Sequence, residues 1–145
     1  MGNIEKDINS TFENNRVKAM LNILYTANWI TRTQNEFFKP FNISPQQYNI
    51  LRILNGAEQP LKVQTIKQRM IERSPNATRL MDKLCAKNYI ERLASVEDRR
   101  VVKISITEKG KALLTSIPND FNNKLMMNLD EEEAKQLSFL LDKMR

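Results

Sequence analysis

Apolar residues recur at three- and four-residue spacing along most of this chain and switch to strict alternation in one place. Val17, Met20, Leu21, Leu24 and Tyr25 mark the first helical stretch and predict one long helix over about residues 9–38. Phe37, Phe38 and Phe41 gather around Pro40, where the helix should end because proline disfavours helical backbone in the residue before it. Ser44-Pro45-Gln46-Gln47 is a helix start: Ser44 caps, Pro45 suits the first turn, and Gln47 completes a capping box. Tyr48, Leu51 and Leu54 carry the second helix, with Gly56 available to end it in a left-handed conformation. After Pro60, Val63, Ile66 and Met70 mark a short third helix. Ser74-Pro75 opens a fourth by the same cap-plus-proline device, running to about Lys87 with Asn88 as a left-handed terminator.

The alternation comes next. Val102, Ile104 and Ile106 alternate with Lys103 and Ser105, which predicts a strand over 101–106. Residues 89–95 form its partner, and Val96-Glu97-Asp98-Arg99-Arg100 is a charged hairpin tip. Thr107 caps a fifth helix through Leu113, Leu114 and Ile117, which Pro118 should kink or split. Asp130-Glu131-Glu132-Glu133 starts the last helix with a capping box and acids at the positive end of its dipole. Ala134, Leu137, Leu141 and Met144 supply its apolar stripe. The expected fold is mainly α with a small two- to three-stranded β-wing, its middle a helix-turn-helix followed by the wing.

Composition narrows the class. Apolar residues make up 41% and charged residues 28% of the 145, the balance of a globular chain rather than a disordered one. Residues 1–7 carry no apolar signal-like run, and no stretch reaches the roughly 18 apolar residues of a membrane helix. The lone Cys85 excludes an internal disulfide and fits a reducing compartment. The expected location is the cytoplasm, with no membrane partner. Net charge is +6, and residues 62–109 account for all of it with twelve Lys/Arg against six Asp/Glu. A basic segment of this kind is the electrostatic footprint of a polyanion partner, although an uneven soluble surface gives the same sum.

The fourth helix has two faces at about 100° per residue. Ala77, Leu80, Met81, Leu84 and Cys85 share one arc; Asn76, Arg79, Asp82, Lys83 and Ala86 share the other, with Thr78 at its flank. The first arc suits a core. The second offers Asn76, Arg79 and Lys83 to base edges or phosphates in a major groove, or is simply a solvated face. At the hairpin tip, Asp98 and Arg100 flank Arg99. Arginine suits a minor groove because its planar head is always charged and weakly hydrated. The plainer reading is a charged turn that favours solubility.

Residues 61–110 resemble the MarR family of bacterial transcription regulators. Asp98-Arg99-Arg100-Val101-Val102-Lys103-Ile104-Ser105-Ile106-Thr107-Glu108-Lys109-Gly110 is similar to the family's wing signature of Asp-x-Arg, a strand, then Thr-x-x-Gly opening a helix. Ser74-Pro75-Asn76-Ala77-Thr78-Arg79-Leu80-Met81-Asp82-Lys83-Leu84 resembles its recognition helix. The resemblance implies a winged helix-turn-helix domain over 44–107, with residues 1–43 and 108–145 forming a helical dimerisation domain. It implies a sequence-specific homodimer, a repressor, on a near-palindromic operator in double-stranded DNA. Ser74, Asn76, Thr78, Arg79 and Lys83 would contact DNA from the helix. Arg100 would reach the minor groove with Asp98 bracing it, and Arg99 would touch phosphate. It further implies release of DNA when a small, often phenolic or anionic, molecule binds between the two domains. Asn88 stands where the family often has glycine, Pro118 is unusual, and the first helix lacks the cysteine of the family's peroxide sensors.

Tyr25, Trp29 and Phe37 are the candidate effector-pocket residues, with core and dimer packing as their plainer role. Cys85 is a candidate redox site; small buried packing is the alternative. Nothing favours catalysis, a metal or a cofactor: the chain has no histidine, one cysteine and no phosphate-binding glycine loop. The rival to a regulator is a winged-helix module for protein interaction or non-specific DNA packaging.

Overall fold

The computed structural model describes residues 1–72 and 75–145. Its elements are α1 (Ile4–Asp7), α2 (Asn15–Phe38), α3 (Pro45–Gly56), β1 (Leu61–Lys62), α4 (Val63–Arg69), α5 (Ala77–Ala86), β2 (Ile90–Ala94), β3 (Val102–Ile106), α6 (Glu108–Ser116), α7 (Phe121–Leu125) and α8 (Glu131–Lys143). A 3₁₀ turn over Lys39–Phe41 follows α2. The fold is mainly helical, with one small antiparallel sheet in the order β1-β3-β2.

Capping chemistry sets most boundaries. Asn14 Oδ1 accepts the N–H groups of Arg16 and Val17 at 3.0 and 3.1 Å. It therefore opens α2 at Asn15, not at the expected residue 9, which has φ 48° and turns the chain after α1. Ser44 and Gln47 form the expected reciprocal capping box of α3, and Asp130 and Glu133 form that of α8. Gly56 does not close α3 in a left-handed conformation. It remains helical, and the left-handed residue is Glu58, φ 59°, just before Pro60. Asn88 does take that conformation, φ 60°, after α5. Pro118 ends the run begun by α6, and α7 is a further short helix before α8.

The sheet is built on β3. Ile90 faces Ile106, Arg92 faces Ile104, and Leu61 faces Ile104 from the other side. β1 has only two residues, too few to show alternation.

Thr-x-x-Gly has a plain physical basis here. Thr107 Oγ1 accepts the Gly110 N–H at 3.1 Å and donates to the Asn88 carbonyl at 2.6 Å. A Cβ on Gly110 would lie 2.2 Å from the Tyr89 carbonyl oxygen. Only glycine lets α6 start this close to the turn that leaves α5.

One core joins these parts. Ile50, Leu51, Ile66, Met81, Leu84, Ile90, Ile104 and Ile117 are fully buried, each stabilising the fold by roughly 1.5–3 kcal/mol. The cluster runs from Phe38 and Ile43 through Leu114 and Ile117. It thus takes side chains from both sides of the expected boundaries at 43/44 and 107/108. Outside it the helices are thinly buried: α2 buries only Phe38, and α8 buries none of its residues.

Candidate nucleic-acid interface

α5 is seated by its apolar face. Ala77, Met81 and Leu84 are buried, and Leu80 and Cys85 are half-buried against the core. The seat leaves the other face outward: Thr78, Arg79, Asp82, Lys83 and Ala86 are exposed. Among the described residues, neither Arg79 nor Lys83 is paired with an acid. Asn76 is exposed at the cap position, one residue before the helix, and its carbonyl accepts the Leu80 N–H at 3.0 Å. The expected start at Pro75 therefore shifts to Ala77, because Asn76 has turn-like backbone, φ −89° and ψ 9°. Ser74, the expected cap and DNA contact, lies outside the described residues.

The wing is a tight turn held by one carboxylate. Asp98 Oδ1 accepts the Arg100 N–H at 2.9 Å, and the Asp98 carbonyl accepts the Val101 N–H at 3.0 Å. Asp98 thus braces Arg100 through its main chain. No ion pair joins their side chains among the described residues, so the Arg100 guanidinium stays available. Below the tip, the Ser95 N–H donates to the Val101 carbonyl at 2.9 Å, while Arg99 and Arg100 are exposed.

Two contributions escaped the sequence reading. Asp82 would place a negative charge on the outward face of α5, but it is hydrogen-bonded and ion-paired to Arg92 of β2. That bond holds the Arg92 guanidinium above its usual pKa. It also ties the helix to the wing. An acid in the middle of a basic arc was the available signal, since it needs a counterion there. The other is Gln47, a polar side chain 5% exposed in α3, whose Nε2 donates to the Leu80 carbonyl at 3.4 Å.

Cys85 is free and half-buried. Burial raises its thiol pKa, Arg92 pulls it down and Asp82 pushes it up, with burial the largest influence. Tyr25 and Trp29 are exposed on α2, while Phe37 stacks on Phe121 at 3.8 Å between ring centres. A cleft of about 430 Å³ opens beside this aromatic group. Thr31, Gln34 and Phe38 of α2 and Tyr48, Asn49 and Arg52 of α3 line it. Tyr25, Trp29 and Phe37 are not among its lining residues.

No helix among the described residues is long and apolar enough to cross a membrane, and no group of His, Cys, Asp and Glu there has the grouping of a metal site.

A helix-turn-helix with an outward cationic helix and an arginine-tipped wing defines a winged-helix DNA-binding protein. The MarR family profile matches residues 43–102. The transcriptional regulator PapX of Escherichia coli is 34% identical over 119 residues, covering 79% of this chain and 73% of PapX. The multiple antibiotic resistance protein MarR of Escherichia coli is 28% identical over 116 residues, covering 77% and 80%. The chain belongs to the MarR family, and it is a DNA-binding transcription regulator, not an enzyme. Its fold is similar to a mutant of Escherichia coli MarR complexed with operator DNA, with TM-score 0.76, 24% identity, and coverage of 92% of this chain and 99% of that one. The organohalide-sensing regulator RdhR in its 2,4-dichlorophenol-bound form gives TM-score 0.79 at 20% identity, covering 94% of this chain and 85% of that one.

Proposed function

We propose that this protein binds a near-palindromic operator as a homodimer in the cytoplasm and represses the genes beside it. The observation that carries the reading is the outward face of α5. Arg79 and Lys83 are exposed without acidic partners among the described residues, on a helix whose other face is anchored in the core. Thr78, Arg79, Lys83 and Asn76 serve as the groove contacts, with Ser74 assigned by motif alone. Arg100 enters the minor groove and Arg99 meets phosphate, while Asp98 shapes the turn that presents them.

Apolar side chains exposed on the terminal helices support the homodimer. Met20, Leu24, Tyr25 and Trp29 lie open on α2, and Leu137, Phe139 and Leu140 on α8. An exposed apolar surface of this extent marks a protein contact. Tyr25 and Trp29 belong to that contact on this reading. Residues 44–107 read DNA, and the flanking segments pair the subunits.

Small-molecule release is assigned to the cleft between α2 and α3. Its size suits a small organic molecule, and the dichlorophenol-bound RdhR shares the fold. The bound molecule on this reading is phenolic or anionic, with Arg52 a cation in the lining.

The test is selection of bound sequences from a random duplex library, then titration of the winner against a scrambled control. A near-palindrome with half-sites about one helical turn apart, bound roughly 10³-fold more tightly than the control, is the expected outcome. Binding with no enriched motif would replace this reading with non-specific packaging or a protein-interaction role.

A further inference from the structure

Three amide side chains at the start of α3 grip the DNA-reading unit from behind. Gln47 Oε1 accepts the Ser44 N–H at 2.9 Å, while Gln47 Nε2 donates to the Leu80 carbonyl in α5. Gln46 Nε2 donates to Glu72 Oε2 at 2.8 Å, and Asn49 Oδ1 accepts the Ile71 N–H at 3.1 Å. Glu72 and Ile71 lie on the approach to α5. Gln46 and Asn49 also line the cleft, together with Pro45 and Tyr48. One short stretch of helix therefore forms both a wall of the cleft and part of the seat of the recognition helix.

The residue type at position 47 is informative. A capping box works equally well with Glu or Gln at this place, because only an acceptor is needed. Gln47 must also donate, and its buried amide is the group that does both at once. A carboxylate there would keep the cap and lose the bond to α5.

We propose that Gln46, Gln47 and Asn49 are positioning residues that set how α5 sits on α3, and with it the protein's grip on DNA. This rests on the DNA-binding reading above. Gln46 and Asn49 face the cleft, so a molecule that takes Gln46 Nε2 or Asn49 Oδ1 as its partner competes with Glu72 or the Ile71 N–H.

The test uses the full chain with Gln47→Glu, Gln47→Met and Asn49→Ala, and Ser44→Ala as the capping control. Backbone hydrogen exchange over residues 78–86 is read in the free protein, and affinity is read on the selected and scrambled duplexes. Loss of the Leu80 bond, alone in Gln47→Glu and together with the Ser44 N–H bond in Gln47→Met, should speed exchange in α5 and weaken operator binding by about three- to tenfold in both variants. Asn49→Ala should change both in the same direction by about twofold, since its bond is exposed. Ser44→Ala should lower the melting temperature and leave α5 exchange within twofold of wild type. If Gln47→Glu fails to fold, Gln47→Met carries the reading without a buried charge. The proposal is overturned if Gln47→Met leaves α5 exchange unchanged, or if Ser44→Ala speeds it equally. A wild type with no preferred duplex would defeat the DNA-binding reading, while the exchange data still decide this one.

Discussion

The DNA-reading half and the terminal helices use the same kind of sequence and meet different fates. In α3 and α5 the apolar stripe is buried: Ile50, Leu51, Met81 and Leu84 are at 0–1% exposure. In α8 no residue is buried, and Leu137 at 39% and Leu140 at 49% stay open. The difference is supply. The small sheet, α4 and α6 close over α3 and α5, whereas among the described residues nothing covers α8 well enough to bury a side chain. Helical periodicity says that a face will be buried, not whether the covering surface belongs to the same chain. α3 and α5 find that cover within the chain; on the homodimer proposed above, the open face of α8 finds it on a second copy.

That contrast breaks most visibly under truncation. Removing residues 118–145 should leave a monomer that loses about 10²-fold or more of its operator affinity, because two linked half-site contacts become one. Light scattering and a duplex titration read both quantities. A truncated chain that stays dimeric and keeps full affinity would mean that α7 and α8 do not pair the subunits.

Gly110→Ala strikes the packed side of the contrast at its tightest point. A methyl 2.2 Å from the Tyr89 carbonyl should destabilise the fold by about 3 kcal/mol in denaturant melts. A loss under about 1 kcal/mol would show that α6 shifts freely and that the close approach is unimportant. Arg100→Ala should weaken operator binding by about tenfold with no change in melting, since the side chain is exposed and its turn is held by Asp98. Lys83→Ala should weaken selected and scrambled duplexes alike, and Asn76→Ala should alter base preference in a site library. Matching profiles from those two variants would erase the split between phosphate and base roles. The smallest effect concerns Cys85. Burial raises its thiol pKa, so alkylation near neutral pH should run slower than for free cysteine and quicken as pH rises. Alkylation as fast as that of free cysteine would favour the redox role.

Much of the fold was legible because local chemistry decides it. The capping boxes at Ser44 and Asp130, the left-handed Asn88 and the alternation of Val102, Ile104 and Ile106 depend on neighbouring residues, and neighbours are what a sequence shows. The start of α2 was misread because Asn14 caps more effectively than the weak pattern before it. Gly56 was misread because a glycine permits a left-handed turn without requiring one, and Glu58 takes it instead. At the interface, the outward placement of Arg79 and Lys83 followed from the helical arc alone. The Asp82–Arg92 clamp and the Gln47–Leu80 bond did not, because they join residues whose proximity only the packed fold creates.

The most direct test is native mass spectrometry of the full chain mixed with equal amounts of the selected and scrambled duplexes. Two chains on the selected duplex, with the scrambled one left almost free, is the predicted result. One chain per duplex, or protein shared evenly between the two DNAs, would contradict a dimeric sequence-specific regulator.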